Sequence, residues 1–244
     1  MKTLILLHGW GANGAVWQKQ VQAFQNRLQV QAPDIPVWDP AWLGDYLHNF
    51  SLPDCLLVGW SLGGMLLLEV LAHQTASLSG LVLAGVPAVF CSRPDHPWGQ
   101  PPAAVRAMRR ALKSEPRKVL QDFARSCLGP EEGAFQEEVV SLFPGGDGAN
   151  LAAGLDYLLR QDLRPLLAEL AAAATIIQGD QDRIVPPEQA QFLHAHLPGS
   201  SLRLLPGAGH LPFRTQAGAF NRILEEMIVG VGPRNVEQAP SPAQ

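Results

Sequence analysis

The sequence predicts an α/β fold: a mostly parallel sheet of about six strands flanked by helices, with a helical cap inserted after the fourth strand. Three observations predict it. Short apolar runs alternate with segments of helical periodicity, the order that a parallel sheet with right-handed crossovers requires. Residues 55–69 pass from Cys55-Leu56-Leu57-Val58 through Gly59-Trp60-Ser61-Leu62-Gly63-Gly64 into Met65-Leu66-Leu67-Leu68-Glu69, so a strand must turn abruptly into a helix. Finally, residues 85–174 hold no clear strand and read as helical, far beyond the length of an ordinary α/β connection.

In chain order, Thr3–Leu7 is a short apolar run, read as a buried strand. His8-Gly9-Trp10-Gly11 follows as a loop, and residues 16–28 hold amphipathic spacing. The second strand is expected at 28–32, closed by Pro33-Asp34, the third at 55–59, the fourth at Gly80–Ala84, the fifth at 175–178 and the sixth at 202–205. Helices are expected near 187–197 and 215–229. Within the insertion, Val105, Met108 and Leu112 recur at helical spacing, as do Val119, Leu120 and Phe123, and again Leu151, Leu155, Leu158 and Leu159. The expected division is a core of residues 1–86 and 171–231, a cap of residues 87–170, and a disordered tail at 232–244, rich in Pro, Ala and Gln. A cap at the strand ends covers the place where ligands bind in open α/β sheets.

Composition narrows the class. The chain has 244 residues, 47% hydrophobic and 16% charged, which suits one globular domain with a large core. No apolar run is long enough for a membrane helix, and Met1 leads directly into the first strand without a cleavage site. Three widely spaced cysteines, Cys55, Cys91 and Cys127, fit neither a disulfide frame nor a zinc site. They point to the reducing cytoplasm. A net charge of −4 gives no reason to expect nucleic acid. The expectation is a cytoplasmic monomer without metal: His194 and His196, two apart on one helix, point in different directions.

The chemistry is carried by four motifs. Gly59 and Gly63 flank Ser61 as G-x-S-x-G, a spacing that holds a serine in a strained strand-to-helix turn with its hydroxyl raised clear of the sheet. The fifth strand ends in Gly179-Asp180-Gln181-Asp182-Arg183-Ile184-Val185-Pro186, and the sixth is followed by Pro206-Gly207-Ala208-Gly209-His210. The order Ser, Asp, His on these elements is that of α/β-hydrolases. His210 is the expected general base for Ser61, and an acid would fix its tautomer. The hydrolase pattern G-x-x-D-x-x-V-P falls on Gly179, Asp182, Val185 and Pro186, which selects Asp182 and leaves Asp180 as a loop residue. Oxyanion donors are expected at the backbone N–H of Leu62, after the nucleophile, and of Trp10, in the loop after strand one. The two meet if the strand order reverses at strand one, with His8 holding the loop.

These residues resemble a family. His8-Gly9-Trp10-Gly11, Val58-Gly59-Trp60-Ser61-Leu62-Gly63-Gly64, and the cap stretches Phe90-Cys91-Ser92-Arg93 and 155–164 look like the pimeloyl-acyl-carrier-protein methyl ester carboxylesterases of biotin synthesis. The resemblance implies cofactor-free hydrolysis of the methyl ester of a carrier-bound pimeloyl chain. It also implies that Trp10, Ser61, Leu62 and His210, with the cap segment Phe123-Ala124-Arg125-Ser126-Cys127, contact the acyl group. Two departures stand out. Family members usually begin with one or two further strands, so strand two becomes an exposed edge here. Glu131, Glu132, Glu137 and Glu138 occupy a part of the cap where basic residues are expected.

Charge supplies a partner. Between Arg106 and Arg125, seven basic residues stand against two acidic ones, a net +5 in a chain of −4. Arg106, Arg109, Arg110 and Lys113 share one helix face, with Arg117 and Lys118 beyond. Most such runs are solvated helix faces; the resemblance instead makes this one a dock for an acidic acyl carrier protein. Other readings are a general carboxylesterase, an enol-lactonase, or a non-catalytic binding protein of the same fold. The last has no need of Ser61, Asp182 and His210 together.

Overall fold

The structure is a computed structural model that describes residues 2–73, 78–170 and 172–230; the tail expected at 232–244 lies outside the described residues. Six strands form one all-parallel sheet: β1 (Thr3–Leu7), β2 (Gln29–Gln31), β3 (Cys55–Trp60), β4 (Gly80–Ala84), β5 (Ala174–Gly179) and β6 (Ser201–Leu205). Their order in the sheet is β2-β1-β3-β4-β5-β6. The chain therefore runs outward from β1 to β2 and returns on the other side of β1, where β3 pairs from Thr3↔Cys55 to Leu7↔Gly59. The order reverses at β1, so the loops after β1 and β3 flank the crevice that such a reversal opens.

The central strands are nearly continuous apolar runs because helices cover both faces, as parallel sheets require. Leu4, Ile5, Leu6 and Leu7 have no exposed surface. Around the sheet lie α1 (Gln18–Phe24), α2 (Pro40–Leu47) and α3 (Leu62–Ala72), and, after β5, α8 (Pro187–His196), α9 (Pro212–Thr215) and α10 (Ala217–Ile228). The run Met65-Leu66-Leu67-Leu68 has no polar face because α3 is enclosed: it packs on β3 and α2, and Glu69 at its outer side accepts a hydrogen bond from Tyr157. Between β4 and β5 stand α4 (Pro102–Ala111), α5 (Pro116–Ser126), α6 (Gln136–Ser141) and α7 (Gly148–Arg160).

Three local expectations change. The helix read at 16–28 is a 3₁₀ turn, Gly14–Trp17, followed by the shorter α1, whereas α10 stands where the last helix was expected, with the short α9 before it. Strand two is only three residues long and pairs only with β1, which leaves little open edge for another chain to join. Helix α2 has no counterpart in the sequence reading. Asp39 caps it by accepting from the Ala41 N–H at 2.9 Å, with Pro40 in the first turn. Leu43 and Leu47 anchor it in the core, and Trp42 stacks on Tyr46 with ring centroids 5.5 Å apart.

Candidate active site

The turn from β3 into α3 places Ser61 at φ 53°, the one non-glycine positive φ among the described residues. Such a conformation costs about 1–3 kcal/mol and persists only where its surroundings over-determine it. Here they do. The Ser61 N–H donates to the Ala84 carbonyl at 3.0 Å, and its own carbonyl accepts from Met65 at 3.0 Å. The flanking glycines are required by close approach. A Cβ on Gly59 would lie 2.5 Å from the Cα of Gly64, and one on Gly63 would lie 2.3 Å from the carbonyl oxygen of His8. The second clash is with the β1 loop, so Gly63 is what lets that loop lie against the elbow. Gly9 sits there too, with its Cβ position 3.0 Å from the Ser61 Cβ.

Leu62 is the first residue of α3, so its N–H has no acceptor within the helix and stands at the positive end of the helix dipole. Trp10 is buried; its indole Nε1 donates to the Leu151 carbonyl at 2.8 Å, and its ring meets Phe123 edge-on at 5.0 Å. His8 fixes the loop from behind. Its Nδ1–H donates to the Gly9 carbonyl at 2.9 Å, and its Nε2 accepts from the Ile35 N–H at 2.9 Å. Burial lowers its pKa, which keeps the imidazole in the neutral form this pairing needs.

Asp182 and His210 come together across the ends of β5 and β6. Nδ1 of His210 lies 2.7 Å from Oδ2 of Asp182, and neither side chain has exposed surface. A carboxylate only accepts, so Nδ1 carries the proton and Nε2 is left with its lone pair. Nε2 is buried without a hydrogen-bond partner among the described residues. The acid is itself held: Oδ2 also accepts from Gln178 at 2.9 Å, and Oδ1 accepts from the Ile184 and Val185 N–H groups at 2.8 and 2.9 Å. Asp180 turns away and accepts from the Gly207 N–H at 2.7 Å. Gly85, at φ 54°, leaves room for the pair, since a Cβ there would lie 3.0 Å from the His210 Nδ1. Trp60 donates from Nε1 to the His210 carbonyl at 2.8 Å. Gln178 and Gly85 escaped the sequence reading. Gln178 left a signal, a lone amide in an apolar strand; Gly85 left none.

A cavity of about 450 Å³ opens between α4, α5 and α7, lined by Trp10, Phe90, Met108, Phe123 and Leu155, among others. Of Trp10, Ser61, Leu62 and His210, it reaches Trp10 alone. The segment Phe123–Cys127 does not line it as a block. Phe123 and Ser126 face the cavity, Ala124 and Cys127 are buried elsewhere, and Arg125 is exposed beside Asp122 at 3.0 Å. The correction is geometric: five consecutive residues of a helix cannot share one face. Burial pushes the Cys127 thiol well up from its ordinary value.

The basic stripe also divides. Arg109 of α4 is engaged by α7, where its guanidinium holds both oxygens of Asp156 at 2.5 and 2.8 Å. Lys118 pairs with Asp122 at 3.6 Å. Arg106, Arg110, Lys113 and Arg117 are exposed and form no ion pair among the described residues. His194 bonds Ser200 and His196 bonds the Phe192 carbonyl, and no group of three or more His, Cys, Asp or Glu gathers as a metal site among the described residues. No helix among those residues is long and apolar enough to cross a membrane.

An all-parallel sheet with a strained serine turn at its switch point and an aspartate–histidine pair at the ends of later strands defines a class, and the sequence pattern of that class matches residues 4–223: the chain belongs to the alpha/beta hydrolase family. It is 28% identical over 243 residues to a pimeloyl-[acyl-carrier protein] methyl ester esterase of Neisseria meningitidis serogroup C, covering 95% of each chain. A relative of the same name from Aeromonas hydrophila is 28% identical, over 92% of this chain and 94% of that one. Among solved structures, an esterase from Exiguobacterium antarcticum superposes with a TM-score of 0.86 at 23% identity, covering 94% of this chain and 92% of that one. The enol-lactonase from Burkholderia xenovorans LB400 does so with a TM-score of 0.78 at 18% identity, covering 93% and 91%.

Proposed function

We propose that the chain is a serine carboxylesterase that hydrolyses the methyl ester of pimeloyl-acyl-carrier protein in biotin synthesis. The carrying observation is the buried Asp182–His210 pair, whose Nδ1 is engaged at 2.7 Å while its Nε2 stands unpartnered. In this reading Nε2 takes the proton of the Ser61 hydroxyl as Oγ attacks the ester carbonyl. The N–H groups of Trp10 and Leu62 receive the developing oxyanion. The imidazolium then gives its proton to the methoxide oxygen as the C–O bond breaks, and methanol leaves. Water enters, His210 deprotonates it, and attack on the acyl-enzyme releases the acid and restores Ser61.

The apolar cavity suits the aliphatic chain, and its volume lies in the usual range for small-molecule sites. Arg106 and Arg110 on α4, Lys113 in the turn after it and Arg117 on α5 border the cavity and suit an acidic carrier whose tethered arm enters between them. The two pimeloyl esterase relatives support the same substrate. The competing reading, a general carboxylesterase or enol-lactonase, draws on the structural neighbours. Rescue of a biotin auxotroph lacking this esterase, with Ser61→Ala as control, separates them. Failure of a folded, esterase-active protein to rescue would favour the general esterase.

A further inference from the structure

The loop that carries His210, Pro206-Gly207-Ala208-Gly209-His210, contains two glycines and has no side chain of its own to hold its backbone. The core holds its two ends, through Asp180 at the Gly207 N–H and Trp60 at the His210 carbonyl, and the residues between β4 and β5 hold the stretch between them. Glu132 is buried, and its Oε2 accepts two N–H groups at once: Gly129 of the cap at 2.8 Å and Gly209 of the catalytic loop at 2.9 Å. The next residue, His210, donates its own N–H to the Cys127 carbonyl at 2.7 Å. The contact is tight, since a Cβ on Gly209 would lie 2.5 Å from that carbonyl oxygen. Glu132 has no basic partner among the described residues, and its Oε1 is buried without a hydrogen bond. Placing a carboxylate there is costly, and what it supplies is one oxygen that staples the cap to the residue before His210.

A second carboxylate of the same acidic group ties its segment to α9, the helix that follows the loop. Glu138 of α6 accepts from Arg214, four residues beyond His210, and lies 3.1 Å from Lys19 of α1. Burial raises its pKa, but the Lys19 and Arg214 hydrogen bonds and charges outweigh this and hold it below the ordinary carboxylate value. Of the four glutamates that stood where basic residues were expected, Glu132 is thus bonded to the loop of His210 and Glu138 is ion-paired to the core at Lys19 and Arg214.

We infer that Glu132 is a positioning residue for His210, setting through the Gly209 N–H the orientation in which Nε2 meets Ser61. The inference rests on reading His210 as the general base. The test is kcat and KM on a small p-nitrophenyl ester for Glu132→Ala, Glu132→Asp, Glu132→Gln and His210→Ala, with the His210 Nδ1–H proton resonance followed by NMR. Glu132→Ala and Glu132→Asp should lose about 10²-fold in kcat, as for a displaced catalytic group, with KM little changed and the resonance shifted or broadened. Glu132→Gln should stay near wild type in both readouts, because its amide oxygen accepts the same two N–H groups. If Glu132→Ala does not fold, Glu132→Asp carries the test, since it keeps the acceptor group but falls a methylene short. Folded Glu132→Asp with wild-type kcat and an unshifted resonance would overturn the inference, as would a Glu132→Gln as impaired as the alanine variant. Either result beside an inactive His210→Ala sinks the positioning role alone; an active His210→Ala sinks the general-base reading and this inference with it.

Discussion

Replacing Asp182 by Asn keeps the shape of the side chain and changes only which atoms accept. The carboxylate takes four hydrogen bonds, two on each oxygen: Ile184 and Val185 N–H groups on Oδ1, His210 and Gln178 on Oδ2. An asparagine amide has one oxygen. The two backbone donors cannot rotate away, so they hold that oxygen on the Oδ1 side and the NH₂ group faces His210. His210 must then accept at Nδ1 and carry its proton on Nε2, the tautomer that cannot deprotonate Ser61. Loss of that tautomer costs about 10⁴-fold in kcat, roughly 5.5 kcal/mol of barrier. Stability should fall less, by about 1–3 kcal/mol for one mismatched buried donor, because the Gln178 amide that then faces the new NH₂ keeps its bond to the Val185 carbonyl. Asp180→Asn is the internal control. Its oxygen accepts from the Gly207 N–H alone, and an amide oxygen does that equally well. The assay is turnover of a p-nitrophenyl ester by both variants, with thermal unfolding to confirm the fold. An Asp182→Asn enzyme within tenfold of wild type, or an Asp180→Asn loss as large as that of Asp182→Asn, would refute the reasoning.

Ser61→Ala and His210→Ala should each lose about 10⁴-fold or more in turnover, and a fluorophosphonate should label wild type but not Ser61→Ala; labelling of the alanine variant would displace the nucleophile. The apolar cavity should favour medium-chain over acetyl esters, with kcat/KM rising by at most about 0.8 kcal/mol per methylene; a maximum at acetate contradicts it. Arg106→Glu/Arg110→Glu should lower kcat/KM on a carrier-bound ester selectively and in a salt-sensitive way, leaving a small free ester unaffected; equal loss on both removes the docking role. Burial holds the His8 pKa below the unfolded value of about 6.5. Above that value both states are neutral and His8 contributes no pH dependence. As pH falls below it the unfolded chain binds the extra proton, so stability declines until the lowered folded pKa is passed. Thermal unfolding of wild type against His8→Gln from pH 7.5 to 5 should show this component in wild type only.

The sequence by itself determined the features with a local physical cause. Apolar runs bounded by glycines and prolines marked the strands, because a parallel strand buried on both faces leaves no polar alternation. The elbow was legible because Gly59 and Gly63 are the residues a close backbone approach demands around Ser61. Asp182 was separable from Asp180 because its spacing to Val185-Pro186 is fixed along one loop. What only the tertiary structure decided arises between segments distant in the chain. That Arg109 is tied to Asp156 while Arg110 has no ion pair among the described residues depends on how α4 packs on α7. That Phe123 and Ser126 face the cavity while Arg125 does not depends on the rotation of α5 about its own axis. The role of Glu132 was invisible for the same reason: its acceptor oxygen meets the N–H of Gly209, 77 positions away. A backbone amide leaves no mark in a sequence, so only the assembled fold shows which carboxylate it meets.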